Sequence, residues 1–242
     1  MSEKTNGRVS GKIYIKEGCM NESTPKSYLG MVIVLGSVWG LAEAALGMGL
    51  RSCAAFVSGS IMTGVALFFL AAGWAVSRRT FGVFLMVLIA ALFKLFDALL
   101  LSLPLRHGAI GNPIFAFFME AIAFVIFIAL IKKKIIQKPA GQALLGGMAA
   151  LLAVNLFPLV KYATGVPACV VPGTGYPLSL YYIHFAVLIS LVTVPAGFWV
   201  GAKMEAYKGQ WSKASSGKRL DYVLSPAALI LCLVIITLLR LI

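Results

Sequence analysis

The chain has 242 residues, 60% of them hydrophobic and 12% charged, with a mean hydropathy of +0.94; soluble domains run nearer half apolar and a quarter charged, which excludes an ordinary soluble fold. The formal charge of +13 would suit a nucleic-acid binder. The Lys and Arg residues, however, sit between apolar runs rather than in a basic patch interleaved with aromatics, so no nucleic-acid partner is expected.

In chain order, residues 1–26 are polar and basic, and are expected to form a cytoplasmic tail. The first apolar run is too long for the core of a cleaved leader and reads as a retained helix. Residues 27–242 then form a single transmembrane domain, with spans at 28–50, 54–76, 81–103, 113–131, 141–160, 178–202 and 223–242, each close to the roughly 20 residues a crossing needs. Inside hydrocarbon every backbone N–H must be bonded within its own segment, so runs of this length are helices rather than barrel strands. The expected fold class is an all-α polytopic membrane bundle of about seven helices.

Orientation follows from the loops, since Lys and Arg collect on the cytoplasmic side. One side receives Lys4, Arg8, Lys12, Lys16 and Lys26, then Arg78 and Arg79, then Lys132, Lys133, Lys134 and Lys138, then Lys203, Lys208, Lys213, Lys218 and Arg219. The other receives Arg51, Arg106, Lys161 and Arg240. The expectation is N-terminus in, C-terminus out, in a cell (inner) membrane.

Four charged residues interrupt the spans: Glu43, Lys94, Asp97 and Glu120. Each costs about 2.5–3.5 kcal/mol near the bilayer centre, so four unpaired ones would cost on the order of 10 kcal/mol. Counted from the outer helix ends at about 1.5 Å per residue, they lie about 9–13 Å deep, and Asn155 and His184 on two further helices come out at about 8 and 9 Å. A common depth is what a binding site requires.

In the first span Gly36, Gly40, Glu43 and Gly47 share one face, which is expected to pack against protein, with Trp39 and Ala44 close by. Lys94 and Asp97, at i and i+3, can pair along one face of the third span. Tyr181 and Tyr182 flank His184, either as interfacial anchors or as a platform for a flat ligand. The segment 161–177, rich in Pro and Gly, is the longest outer loop and is either a lid or a rigid turn. The last span is almost wholly aliphatic, with Pro226 in its first turn, and reads as a lipid-facing addition. Cys19 is expected to be reduced in the cytoplasm; Cys53 and Cys169 both lie outside, as isolated thiols or as a disulfide.

No HExxH, GxGxxG, P-loop, GxSxG or CxxC motif is present, so neither an enzyme nor a cofactor is expected. The layer carries more minus than plus, which favours a cation, a proton or an amine-bearing ligand; whether a metal is bound is left open.

The stretch GSVWGLAEAALGMGL (residues 36–50) resembles the opening helix of the membrane-embedded substrate-binding S subunits of energy-coupling-factor transporters. The stretch FPLVKYATGVPA (residues 157–168) is similar to an outer loop of some predicted cobalt-transport subunits. The first resemblance implies a small, basic, usually six-helical protein with an outward-facing pocket and no ATPase of its own. It also implies that the small residues Gly36, Gly40 and Ala44 contact a membrane coupling subunit, which works with an ATPase. This chain carries a seventh span. The expected function is a transport subunit binding a vitamin-like solute or metal, with Glu43, Lys94, Asp97, Glu120, Asn155, His184, Trp39 and Tyr181 as its site. The alternatives are an assembly or structural protein whose charged layer fixes helix packing, and an intramembrane enzyme using Glu43 or Glu120 with His184.

Overall fold

The computed structural model describes residues 28–171 except 54–56, then 173–213 and 217–241; side chains at 49–53, 208–213 and 217–223 are left aside. The expected tail at 1–26, with Cys19, lies outside these residues. Among the described residues the chain is all-helical, 85% helix with no strand. Ten helices follow in order: α1 Leu29–Cys53, α2 Ser58–Ser77, α3 Thr80–Leu100, α4 Gly108–Leu130, α5 Lys133–Ile136, α6 Pro139–Leu156, α7 Val160–Thr164, α8 Leu178–Tyr181, α9 Ile183–Lys213 and α10 Gly217–Leu241. Seven spans are long and apolar enough to cross a membrane, with α6 and α7 joined through a 3₁₀ turn into one of them.

Local chemistry explains the boundaries. α2 stops at Arg78, whose left-handed backbone (φ 51°) turns its N–H back onto the Trp74 carbonyl at 2.8 Å, and Arg79 returns to extended geometry before α3 begins. α4 starts at Gly108, five residues before the expected 113, because His107 caps it: Nδ1 accepts the Ala109 N–H at 3.2 Å. That extension puts Asn112 inside a helix. α6 opens on Pro139, where the missing N–H costs nothing. The sixth expected span, 178–202, is interrupted at Tyr182, so that a single turn (α8) precedes the long α9. The segment expected to be a loop from 161 begins as helix α7, ending at Gly165 in left-handed geometry (φ 76°).

Small residues set the packing. α2 and α9 share the most extensive interface: a Cβ at Gly197 would collide with the Phe68 carbonyl and one at Gly201 with the Ala72 carbonyl, so these backbones touch. Gly146 of α6 meets the Ser190 carbonyl of α9 in the same way. The glycine face of α1 does pack on protein, with Gly36 against Ile89 and Gly40 against Phe93 of α3. Trp39 is fully buried in the core, stacked on Phe69 and tilted against Phe117.

α10 lies outside this bundle, chiefly along α1, where Cys232 and Ile236 cover Ala44, Ile89 and Phe93. It is therefore more than a lipid-facing addition: one face is docked, while Ile230, Leu231, Val234 and Leu238 stay exposed.

Candidate functional site

Glu43, Lys94, Asp97 and Glu120 are all buried, at 2%, 7%, 1% and 4% exposure. The structure divides them into two groups.

The first group is a clamp. Asp97 accepts from Arg240 Nε at 2.6 Å and from Nη2 at 2.7 Å, a bidentate pair joining α3 to α10. The expected i, i+3 partner Lys94 stands farther off, with Nζ 3.6 Å from Oδ2. Arg240, counted among the outer flanking charges on sequence, is thus an internal counter-ion. Lys94 is the cation facing Glu43, and its Nζ also lies 3.7 Å from where a Cβ on Gly47 would be. Neither Lys94 nor Asp97 is among the residues that line the cavity beside Glu43.

The second group faces open space. Glu43 of α1 and Glu120 of α4 line a cavity of about 650 Å³ enclosed by α1, α2, α4, α6 and the 166–182 segment. The volume lies within the roughly 300–1,000 Å³ usual for small-molecule sites. Three buried polar atoms of its wall have no hydrogen-bond partner: Glu120 Oε2, Asn112 Oδ1 and Ser179 Oγ. Thr63 and the Glu43 carboxylate both act on Glu120. The remaining wall is mainly apolar, including Met62, Phe117, Val154 and Phe157. Trp39 lies behind the wall; its Nε1 faces Glu43 without hydrogen-bond geometry.

The mouth is built from the former loop. Val171 N–H donates to the Tyr176 carbonyl at 2.9 Å, Leu178 N–H to the Cys169 carbonyl at 2.8 Å, and Val170 bridges Pro177. This turn lays Val166, Pro167, Cys169 and Leu178 against the cavity. Ser60 of α2 donates to the Tyr182 carbonyl at 3.1 Å, satisfying the backbone where α8 breaks from α9. The Cys169 thiol is free and exposed; the Cys53 side chain lies outside the described ones.

Comparison with known proteins gave no matching family model, no matching curated protein and no matching solved structure. What the site does must be read from its own geometry.

Besides Lys94, Asp97 and Trp39, three more expected site residues do not line the cavity. Asn155 is exposed and donates to the Leu151 carbonyl of its own helix at 2.7 Å, on the outward face shared with Leu144, Met148 and Leu151. His184 is exposed against Phe185, on the outward face with Leu188, and Tyr181 is 55% exposed, edge-on to Tyr182. Depth had suggested Asn155 and His184, and adjacency to His184 had suggested Tyr181, but all three side chains are turned to the periphery. Among the described residues no group of three or more His, Cys, Asp or Glu is placed to hold a metal ion. Sequence reasoning missed Asn112, Thr63 and Ser179. Asn112 was hidden by the late start assigned to α4, and the two hydroxyls carry no cost signal in an apolar run.

Proposed function

We propose that this protein is a multi-pass membrane subunit that binds a small solute in the cavity between α1, α2, α4 and α6, as part of a transport process. One observation carries the reading: the Glu120 carboxylate is 4% exposed, lines a cavity of about 650 Å³, and keeps one oxygen without a partner. A buried acceptor left open costs on the order of 1–3 kcal/mol, more for a charged group, and a ligand donor removes that cost.

The cavity belongs to the end of the bundle that carries Arg106 and Lys161, whereas Arg78, Arg79, Lys132, Lys133, Lys134, Lys138 and Lys203 cluster at the helix ends of the opposite side. By the positive-inside rule the basic end is cytoplasmic, so the cavity faces outward in an N-in, C-out protein of the cell membrane. The resemblance to energy-coupling-factor S subunits agrees with an outward pocket. The docking of a coupling subunit on Gly36, Gly40 and Ala44 receives no support, because α3 and α10 already cover that face. Any energy-supplying partner uses another surface.

The packing alternative applies to half of the charged layer. The Asp97–Arg240 clamp, with Lys94 beside it, fixes α10 on α3 and needs no ligand.

Native mass spectrometry of the protein, extracted gently from its own host membrane, tests the reading. The wild type is expected to retain a small-molecule mass that Ala116→Trp, which fills the cavity wall, loses. A wild type that emerges empty from its own membrane would overturn the reading.

A further inference from the structure

If the cavity binds a solute, as proposed, the charges behind and within it specify the charge of that solute. Three buried carboxylates, Glu43, Asp97 and Glu120, are accompanied by two cations, the buried Lys94 and the part-buried Arg240, so that in charged form the set is short of balance by one positive charge. Arg240 changes the count: without it two positive charges would be missing, which would suit a divalent cation. The assignment of partners is also uneven. Asp97 is saturated by the bidentate Arg240, and Lys94 stands between Asp97 and Glu43. Glu120 makes no ion pair among the described residues and keeps Oε2 without a partner, with Thr63 and the Glu43 carboxylate acting on it.

The open valences agree with this assignment. Glu120 Oε2 and Asn112 Oδ1 are acceptors, and the Ser179 hydroxyl can accept. An ammonium or amidinium offers several N–H donors and no acceptor, the complement of such a wall. A small inorganic cation favours a cluster of hard ligands, and among the described residues no group of three or more His, Cys, Asp or Glu is placed to hold one. A proton would balance the charge but leave a mainly apolar space of about 650 Å³ unfilled. The wall offers Met62, Phe117, Val154 and Phe157 for an apolar body, with Phe rings that favour a nearby cation.

We infer that the cavity takes an organic monocation, an amine or amidine on an apolar or aromatic body, and that Glu120 rather than Glu43 is its counter-ion.

The test uses purified full-length protein in lipid nanodiscs and four probes: 2-phenylethylammonium, the size-matched 2-phenylethanol and phenylacetate and, as an inorganic control, Co²⁺. Binding is read by calorimetry and by the shift in Tm. The ammonium is expected to bind at least about tenfold tighter than the alcohol, the gap that an unpaired buried polar site imposes. Phenylacetate and Co²⁺ are expected not to bind. Glu120→Gln should remove most of the gap between amine and alcohol, and more of it than Glu43→Gln, which lowers the negative charge of the site but leaves the open Glu120 oxygen in place. The probe series on the wild type needs no variant to fold. Equal or tighter binding of the alcohol or the acid, binding of Co²⁺ alone, a gap that survives Glu120→Gln, or no binding by any probe would each overturn the inference. The native-mass experiment decides separately whether the cavity holds a solute at all.

Discussion

Replacing Arg240 with Met removes both donors from Asp97 while keeping the aliphatic volume of the side chain. The two contacts are 2.6 and 2.7 Å long, and the Asp97 side chain is 2% exposed, so water cannot replace them. Breaking a buried pair by deleting one partner costs about 3–5 kcal/mol. Lys94, at 3.6 Å, remains as a secondary cation and holds the loss to the lower end, near 3 kcal/mol. At roughly 2–4 °C per kcal/mol for a chain of this size, Arg240→Met should lower Tm by about 6–12 °C in detergent or nanodiscs. The double variant Asp97→Asn, Arg240→Met should recover a good part of that, giving a coupling of at least about 2 kcal/mol in a double-mutant cycle. Arg240→Lys keeps the charge but not the fork, and should fall between wild type and Arg240→Met. Fluorescence-detected size-exclusion thermostability gives all these values. An Arg240→Met variant that melts within about 1 °C of wild type, or a cycle with no coupling, would refute the idea that this pair docks α10.

Gly197→Val should destabilise by about 3 kcal/mol or prevent folding, since its Cβ would enter the Phe68 carbonyl, whereas Gly59→Ala, with open space around it, should leave Tm unchanged; equal Tm values for the two would refute the close α2–α9 contact. In a background where the other three cysteines are replaced, Cys169 should react with a membrane-impermeant maleimide in intact cells. Labelling that requires permeabilised cells would reverse the proposed orientation and put the cavity on the cytoplasmic side.

Much of the fold was legible because the bilayer imposes a length on each apolar run, and each of the seven expected spans overlaps an observed one. The boundaries that moved did so for local reasons that hydropathy does not register: a His107 side-chain cap at α4, a break at Tyr182, and a helix in 160–164 that outlasts its apolar run. The buried charges were legible for the same physical reason, since Glu43, Lys94, Asp97 and Glu120 are too costly to leave in lipid. Who pairs with whom was not. Arg240 sits where a flanking charge ordinarily snorkels to the interface, and only the packing of α10 on α1 turns it toward Asp97. Asn155 and His184 show the complementary failure, because a polar group that can bond its own helix backbone, as Asn155 does, survives on a lipid-side face. The exposed stripe Leu144, Met148, Leu151, Asn155 repeats at helical spacing and was readable in advance as an outward face.

The Asp97–Arg240 pair also has a meaning in time. Its two residues are 143 positions apart, so at synthesis α3 enters the membrane long before α10 exists. Until then Lys94, one turn away on the same helix, is the carboxylate's only counter-charge among the residues already made that the structure places beside it. The loose intrahelical contact thus serves as the chaperone of an unfinished site: it lets α3 insert as a nearly neutral segment. When Arg240 arrives it takes Asp97 in the bidentate pair, and Lys94 stays 3.6 Å from the carboxylate as its second cation, so the pair that docks α10 replaces a provisional partner rather than an empty place.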